Sequence, residues 1–147
     1  MSQWVSLFTL DELNSGRATL VTTLGIRFTE IGADFVRGTM PVDERTIQPY
    51  GLLHGGASVA LAETLGSTGA AMSVDADQFQ VVGQEINANH IRAARSGSVT
   101  GTARPVHLGG RTQVWSIEIV NDASKLVCIS RLTMAVIRRG ALDVKAV

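Results

Sequence analysis

A run of small residues between positions 54 and 73 constrains the fold of this sequence more than any other feature. Eleven of the eighteen residues from 55 to 72 are Gly, Ala or Ser, while Val59, Leu61, Leu65 and Met72 supply apolar bulk. Glycine destabilises a helix interior by about 1 kcal/mol relative to alanine. We therefore predict one long buried helix, whose small residues permit another backbone or a ligand to come close.

Six strands are predicted around this helix. Two precede it, at 26–31 and 35–42, and four follow it, at 79–91, 97–106, 111–120 and 126–137. Gly109–Gly110 marks a tight hairpin, and the nearly continuous apolar run at 126–137 indicates a central strand. Thr9 and Glu12 form the capping-box pattern of a short helix. These patterns predict an α+β fold, with an antiparallel sheet wrapped around one long helix, in a single domain spanning residues 1–147.

Charge and apolar content argue against several classes of protein. Thirteen basic residues balance thirteen acidic ones, so there is no general attraction for nucleic acid. No stretch reaches the roughly 18 apolar residues of a membrane helix, and the first ten residues lack the basic start of a signal peptide. The single cysteine, Cys128, cannot form an internal disulfide, which fits a reducing compartment. We expect a cytoplasmic protein that binds neither nucleic acid nor membrane.

Glu63 is the one acidic residue in the predicted helix. A buried carboxylate must be paired, neutralised or functional, and no Lys or Arg occurs between Arg45 and Arg92. Ser67 lies one turn later, at i+4, on the same helix face. From the residues alone, a structural hydrogen-bonding group and a catalytic carboxylate are both open interpretations.

The start of the helix carries a second pattern, His54-Gly55-Gly56. Two glycines at this point would leave backbone N–H groups unpaired, without side chains to shield them. Such a helix end attracts negative charge and can hold an oxyanion. A glycine-rich loop that serves only as a turn is the alternative interpretation.

Three segments, in this order, resemble the hotdog-fold thioesterases, in the branch that contains 4-hydroxybenzoyl-CoA and 1,4-dihydroxy-2-naphthoyl-CoA thioesterases. They are residues 48–67 (QPYGLLHGGASVALAETLGS), 85–92 (EINANHIR) and 107–115 (HLGGRTQVW). The resemblance covers nearly the whole chain. It implies a hotdog fold and an acyl-CoA thioesterase that hydrolyses an aromatic or similar acyl-CoA to the free acid and CoA.

The resemblance also implies roles for the catalytic residues. Gln48 and the backbone N–H of Gly55 would bind the thioester carbonyl oxygen, while His54 would orient the thioester or the leaving sulfur. Glu63 would attack the carbonyl carbon directly or activate a water, and Ser67 would help to hold that water or the carboxylate. The sequence does not separate the two roles of Glu63.

For the CoA part of the substrate, the resemblance points to His90 and Arg92 as contacts of the pantetheine and the phosphates. The hairpin Gly109, Gly110 and Arg111 would lie nearby. Gly110 departs from the pattern, because relatives often have a serine or threonine at this position. A phosphate contact there would have to come from a backbone N–H or from Arg111.

No metal and no separate cofactor are expected, since CoA is part of the substrate. His54, His90 and His107 are the three histidines, and no pair of them has the spacing of metal ligands. A thioester carbonyl held by oxyanion donors needs only one carboxylate, acting as nucleophile or as base.

Helix geometry predicts a shared site. Gly55 and Glu63 are eight residues apart, or about 12 Å along a helix. Reacting atoms lie roughly 3 Å apart, so one thioester carbon cannot touch both ends of that span. We expect the oxyanion donors and the carboxylate to come from different subunits of an obligate homodimer with antiparallel helices. A homotetramer is implied by the resemblance alone.

Two other functions compete with acyl-CoA hydrolysis. One is the removal of acyl groups from an acyl carrier protein, with the phosphopantetheine arm entering from outside. The other is a non-catalytic acyl-CoA sensor, although the sequence contains no DNA-binding segment and Glu63 is intact.

Overall fold

The computed structural model describes residues 3–16 and 18–140. Its elements are α1 Leu10–Asn14, α2 Leu20–Thr23, β1 Arg27–Ile31, β2 Val36–Pro41, α3 Gly55–Met72, β3 Phe79–His90, β4 Ser98–Leu108, β5 Thr112–Asn121 and β6 Leu126–Arg138. The long helix and the six strands lie where the sequence predicts them. The short helix α2 has no counterpart among the predicted elements, because four residues are too few to show a helical periodicity.

The six strands form one antiparallel sheet in the order β1-β2-β4-β5-β6-β3. Strand β6 pairs with β5 on one side and with β3 on the other, so the predicted central strand is an interior strand. Helix α3 contacts the strands from β2 to β6. The predicted α+β fold, an antiparallel sheet wrapped around one long helix, is confirmed.

Glycines set the depth at which α3 packs on the sheet. A Cβ atom on Gly69 would lie 2.6 Å from the ring of Trp115, and a Cβ atom on Gly66 would lie 2.7 Å from Leu132 Cδ2. Both of these strand side chains are fully buried. The glycines in the middle of the helix therefore admit bulky side chains of the sheet to within contact of the helix backbone.

The N-terminal segment closes the same core. Trp4 stacks on Trp115, with ring centroids 6.3 Å apart and planes 7° from parallel, and Trp4 Nε1 donates to the Gly32 carbonyl (2.7 Å). Thr9 and Glu12 form the predicted capping box at α1. The Thr9 backbone N–H and hydroxyl both donate to the Glu12 carboxylate, which lowers the pKa of that carboxyl group below its ordinary value.

The two edges of the sheet differ. At the β1 edge, the Phe28 N–H donates to Asn14 Oδ1 (2.9 Å) and Asn14 Nδ2 donates to the Phe28 carbonyl (2.8 Å), so a side chain occupies the edge. At the other edge, the 12 residues of β3 pair only with β6 among the described strands. A free strand edge of this length is a template for pairing with another chain.

Replacing Gly69 with alanine should lower the free energy of unfolding by roughly 1–3 kcal/mol, the cost of overpacking a filled core. The loss should outweigh the gain in helix propensity of about 1 kcal/mol, because Trp115 is held by its stacking on Trp4 and by burial. Urea unfolding followed by circular dichroism measures the difference. As a propensity control, Ala71→Gly on a half-buried position of the same helix should cost about 1 kcal/mol. A Gly69→Ala protein that is more stable than the wild type would contradict this packing.

Candidate active site

A cleft of about 320 Å³ lies at the N-terminal end of α3. It is lined by four of the predicted site residues, Gln48, Gly55, His90 and Arg92, and by Leu52, Leu53, Ser58, Ile91, Ala93 and Val127. These residues come from the loop before α3, from its first turn, and from the end of β3 and the segment after it. The fold thus brings together residues that are distant in the sequence.

The side chain of Gln48 is oriented by its own loop. The Gly51 N–H donates to the Gln48 carbonyl (2.9 Å) and the Gln48 N–H donates to the Leu52 carbonyl (2.8 Å), which closes a tight turn. Within the turn, the Tyr50 N–H donates to Gln48 Oε1. Because an N–H can only donate, the amide oxygen must face Tyr50. The Gln48 Nε2 group is therefore left as the donor that serves the cleft.

His54 is the N-cap of α3. The Gly56 N–H donates to His54 Nδ1 (2.8 Å), so Nδ1 carries no proton and Nε2–H of the neutral imidazole is a donor. The expectation of two unpaired N–H groups is thus wrong for Gly56, whose N–H is capped by the neighbouring imidazole. The Gly55 N–H has no acceptor among residues 3–16 and 18–140.

His90 and Arg92 lie beside this helix end. A Cβ atom on Gly55 would lie 2.7 Å from His90 Nε2, so the imidazole lies directly against the Gly55 backbone. Arg92 is exposed and lines the same cleft, and no carboxylate of the described residues forms an ion pair with it. An unpaired guanidinium at the rim of a cleft is suited to binding a phosphate.

Glu63 lies away from this cleft, two turns further along α3. Its side chain is half-buried, not fully buried as the surrounding helix suggests, because it faces the edge strand β3. Carboxylate Oε1 lies 2.5 Å from the position that a Cβ atom on Gly83 would take. Among the described residues, no cation and no hydrogen-bond donor pairs with this carboxylate. A polar group in this setting remains available to a ligand.

Ser67 shares that location. Its hydroxyl donates to Met134 Sδ over 3.7 Å, and Met134 is the cross-strand partner of Gly83. A thioether is a weak acceptor, so the hydroxyl can exchange this contact for a water or a ligand. The i, i+4 pair of Glu63 and Ser67 therefore lies over one cross-strand pair of β3 and β6.

The hairpin Gly109–Arg111 lies at this end of the sheet. The Val136 N–H donates to the Arg111 carbonyl (2.9 Å), whereas His90 pairs with Cys128, eight residues earlier on β6. The expectation that the hairpin lies near His90 and Arg92 is wrong within one chain. The reason is the register of the sheet, since eight strand residues span roughly 26 Å.

A second, larger groove of about 680 Å³ lies between the N-terminal segment and α3. Its lining is mainly apolar, with Thr64 and Thr68 from the helix, each adjacent in sequence to one of the pair Glu63 and Ser67. No sequence pattern predicts this groove, because its lining comes from scattered residues of four segments. Gly83 is not among the predicted site residues, although an isolated glycine in a strand pattern signals a bulge or a close approach.

Comparison with known proteins identifies the family. Residues 50–128 match the sequence family described as the thioesterase superfamily. A 1,4-dihydroxy-2-naphthoyl-CoA hydrolase of Escherichia coli (strain K12) is 53% identical over 135 residues, which is 91% of this chain and 98% of the relative. The chain belongs to the thioesterase superfamily. A proofreading thioesterase of Cronobacter turicensis is 49% identical to this thioesterase over 134 residues, 90% of the chain and 97% of the relative.

Solved structures agree with this assignment. A thioesterase from Haemophilus influenzae superposes with a TM-score of 0.90 at 49% identity, covering 92% of this chain and 95% of the other. A variant thioesterase from Pseudomonas aeruginosa gives a TM-score of 0.91 at 49% identity, covering 93% and 99%. The predicted hotdog-fold thioesterase is confirmed in family, in fold and in enzyme class, that of a thioester hydrolase.

Two further observations concern the described part of this thioesterase. None of its helices combines the length and the apolar character needed to span a membrane. Residues 3–16 and 18–140 contain no group of three or more His, Cys, Asp or Glu side chains arranged to hold a metal ion.

The orientation of Gln48 makes a prediction that depends on one atom. Gln48→Glu keeps the acceptor oxygen for the Tyr50 N–H and nearly the same shape, but removes the Nε2–H donor. If this donor stabilises an oxyanion, kcat for thiol release should fall on the order of 10²–10³-fold, while the melting temperature stays close to that of the wild type. Stopped-flow thiol detection with an acyl-CoA measures kcat. An unchanged kcat would remove Gln48 from the oxyanion site.

Proposed function

We propose that this thioesterase hydrolyses an aromatic or similar acyl-CoA to the free acid and CoA. One observation carries the proposal most directly. The cleft at the start of α3 holds two N–H donors and a guanidinium, and a carboxylate lies further along the same helix. Within residues 3–16 and 18–140, neither charged group has an ionic partner. Thioester hydrolysis uses an oxyanion site and a base or nucleophile, and the guanidinium suits the phosphates of CoA.

The oxyanion donors are Gln48 Nε2 and the Gly55 N–H. The latter lies in the first turn of an 18-residue helix, where the helix dipole adds positive potential. Both donors would strengthen their hydrogen bonds as the carbonyl oxygen becomes negative in the tetrahedral intermediate. His54 lines a separate groove with Gly56 and Ala60. From there its Nε2–H, the donor fixed by the capping bond at Nδ1, would orient the thioester or the leaving sulfur.

Glu63 acts on the carbonyl carbon by one of two routes. As a base, it takes a proton from water, the hydroxide adds to the carbonyl carbon, and the C–S bond breaks with release of CoA thiolate. As a nucleophile, it displaces the thiolate to form an acyl anhydride, which water then hydrolyses. In either route Ser67 holds the water or the carboxylate, and no step includes a metal or a separate cofactor.

The site is completed by a second subunit. Within one chain the donors and the carboxylate are separated by roughly 12 Å of helix, which one thioester cannot bridge. The free edge of β3 supports pairing with another copy, because the β1 edge is occupied by Asn14. A two-fold axis beside β3 would bring Glu63 of each chain to the cleft of the other. We propose a homodimer on this basis, and a homotetramer on the resemblance alone.

The same arrangement supports a shared CoA site. Arg92 and His90 lie at one end of the sheet and the hairpin Gly109–Arg111 at the other. In a two-fold dimer, the cleft of one subunit faces the hairpin end of its partner. Phosphates would then meet Arg92 of one chain and, from the other chain, either Arg111 or a backbone N–H at Gly109 or Gly110.

The acyl group would occupy the larger groove beside Thr64 and Thr68. Its mainly apolar lining suits an aromatic ring system, and the relative named as a 1,4-dihydroxy-2-naphthoyl-CoA hydrolase supports an aromatic acyl group. The particular acyl group stays open, because one methylene changes discrimination by only about 1–3 kcal/mol.

A second candidate substrate is an acyl group on a carrier protein. The relative named as a proofreading thioesterase favours it, and so does the exposed surface of Ile91, Arg92 and Arg95 beside the cleft. Arginines around an exposed apolar residue suit an acidic partner surface. In this variant of the proposal, the phosphopantetheine arm would enter the same cleft from the side of Arg92.

Thiol release tests the proposal. The wild type should release thiol from at least one of benzoyl-, hydroxybenzoyl-, hydroxynaphthoyl-, phenylacetyl-, hexanoyl- and palmitoyl-CoA. Glu63→Gln, which keeps the shape but cannot act as base or nucleophile, should lose kcat by at least about 10³-fold without a change in circular dichroism. Faster turnover of the same acyl groups on a carrier protein would favour the second candidate. Binding of an acyl-CoA, without turnover of acyl-CoA or acyl carrier protein, would indicate a non-catalytic acyl-CoA sensor.

Mixing two inactive variants tests the shared site. Gln48→Glu and Glu63→Gln, refolded together, should form mixed dimers with one intact site each. With random pairing, about half of the dimers would be mixed, and one of the two sites in each mixed dimer would be intact. Activity should therefore return to about a quarter of the wild-type value. Each variant refolded alone is the control. If the mixture shows only the mean of the two separate activities, both sets of groups act within one chain.

A further inference from the structure

We propose that Gly83, together with the β-bulge at Gln84, is a positioning element for the Glu63 carboxylate. The inference rests on the proposed function, in which Glu63 is the reacting group. It assigns a positioning role to a residue without a side chain, on a strand whose sequence pattern predicts regular pairing.

The contact at Gly83 is specific. The atoms that a Cβ atom on this residue would meet within 4 Å are Oε1 and Cδ of Glu63, at 2.5 and 3.6 Å. Gly83 does not have the positive φ angle that requires glycine, so its backbone accepts an alanine. Among the described residues, the absence of a side chain at this position therefore matters to Glu63 alone.

The bulge explains how β3 serves both parts of the site. Gly83 faces Glu63 of α3, and His90, seven residues later, faces Gly55 of the same helix. In a regular strand, residues an odd number apart face opposite sides. The register shifts between Gly83 and Glu85, and this one extra residue reverses the alternation. Both Gly83 and His90 can therefore face the helix.

A second contact between α3 and the sheet lies next to the one at Gly83. Met134, the cross-strand partner of Gly83, is 1% exposed and contacts the Ser67 hydroxyl. Glu63 thus lies against Gly83, and Ser67 lies against the flexible thioether of Met134. The glycine leaves room for the carboxylate oxygen close to the strand backbone, and the thioether lies across from the glycine on β6.

Other glycines under α3 show what is different at Gly83. Gly101, on β4, would place a Cβ atom 2.7 Å from Leu65 Cδ1. It is the same type of close approach of a strand glycine to a side chain of the same helix, but the side chain is apolar and fully buried. Gly101 therefore provides a matched control, in which the added methyl group meets an apolar side chain of α3 and does not touch the carboxylate.

Gly83→Ala should reduce kcat by roughly 10–100-fold, the effect expected when a reacting group is displaced by about 1 Å. The KM for benzoyl-CoA or hydroxynaphthoyl-CoA should change by less than about threefold, because the substrate contacts in the cleft are untouched. Gly101→Ala should lower the melting temperature and keep kcat within about threefold of the wild type. A Gly83→Ala enzyme with wild-type kcat would overturn the inference, and so would an equal loss of kcat in both variants.

Shortening the carboxylate provides a rescue. Glu63→Asp withdraws the carboxylate by one methylene, which relieves a contact with the new methyl group at position 83. In the Gly83→Ala background, Glu63→Asp should therefore cost less than it does in the wild type, or raise kcat. A cost of equal size in both backgrounds would mean that the two residues are independent, and the inference would fail.

A crystal structure of the Gly83→Ala protein tests the contact independently of any activity measurement. The Glu63 carboxylate should be displaced by about 1 Å or more from its position over β3, and an unmoved carboxylate would overturn the inference. If Gly83→Ala does not fold, adding Glu63→Ala should restore folding, because the new methyl group clashes with Glu63. A double variant that still does not fold would also overturn the inference. Absence of thiol release by the wild type would reject the proposed function, whereas the crystallographic result would still decide whether Gly83 positions Glu63.

Discussion

The depth at which α3 packs on the sheet is the constraint on which the rest of the structure depends. Where the helix has glycine, at Gly66 and Gly69, the strands carry Leu132 and Trp115; where β4 has Gly101, the helix carries Leu65. At each of these contacts a large side chain on one element meets a glycine on the other. Since both sets of side chains are buried and close-packed, the helix cannot rotate or slide without a clash.

A helix held in this way determines where the polar groups lie. Its first turn presents the Gly55 N–H beside Gln48 and His90, and two turns later Glu63 meets the glycine of β3. The two places are roughly 12 Å apart along the axis. One contains hydrogen-bond donors and a cation and the other contains a carboxylate, so in the proposed mechanism neither place would hydrolyse a thioester alone. The fixed distance between the donors and the carboxylate is the physical basis of the proposed dimer, in which each site combines the donors of one chain with the carboxylate of the other.

The edges of the sheet determine how a second copy can approach. The Asn14 side chain satisfies the backbone groups of Phe28 on the β1 edge, which removes that edge as a template for pairing. Among the described strands, the edge without a partner belongs to β3, which contacts both places through His90 and Gly83. Pairing at this edge would therefore bring the partner directly to the donors and to the carboxylate.

The sequence by itself determined the elements, because helices, strands and hairpins are encoded in local periodicity and turn residues, and all six strands and the long helix lie where those patterns predict. Its three family segments also named the candidate residues of the cleft. Only the tertiary structure decided which residues meet: Gly109–Arg111 lies far from His90 within one chain, and the Gly56 N–H is already bonded. Gly83 lies under the carboxylate because of strand register and a bulge at Gln84. A single residue of register reverses every side chain that follows. The isolated glycine in the strand signals a bulge, but it does not show which helix residue lies against it.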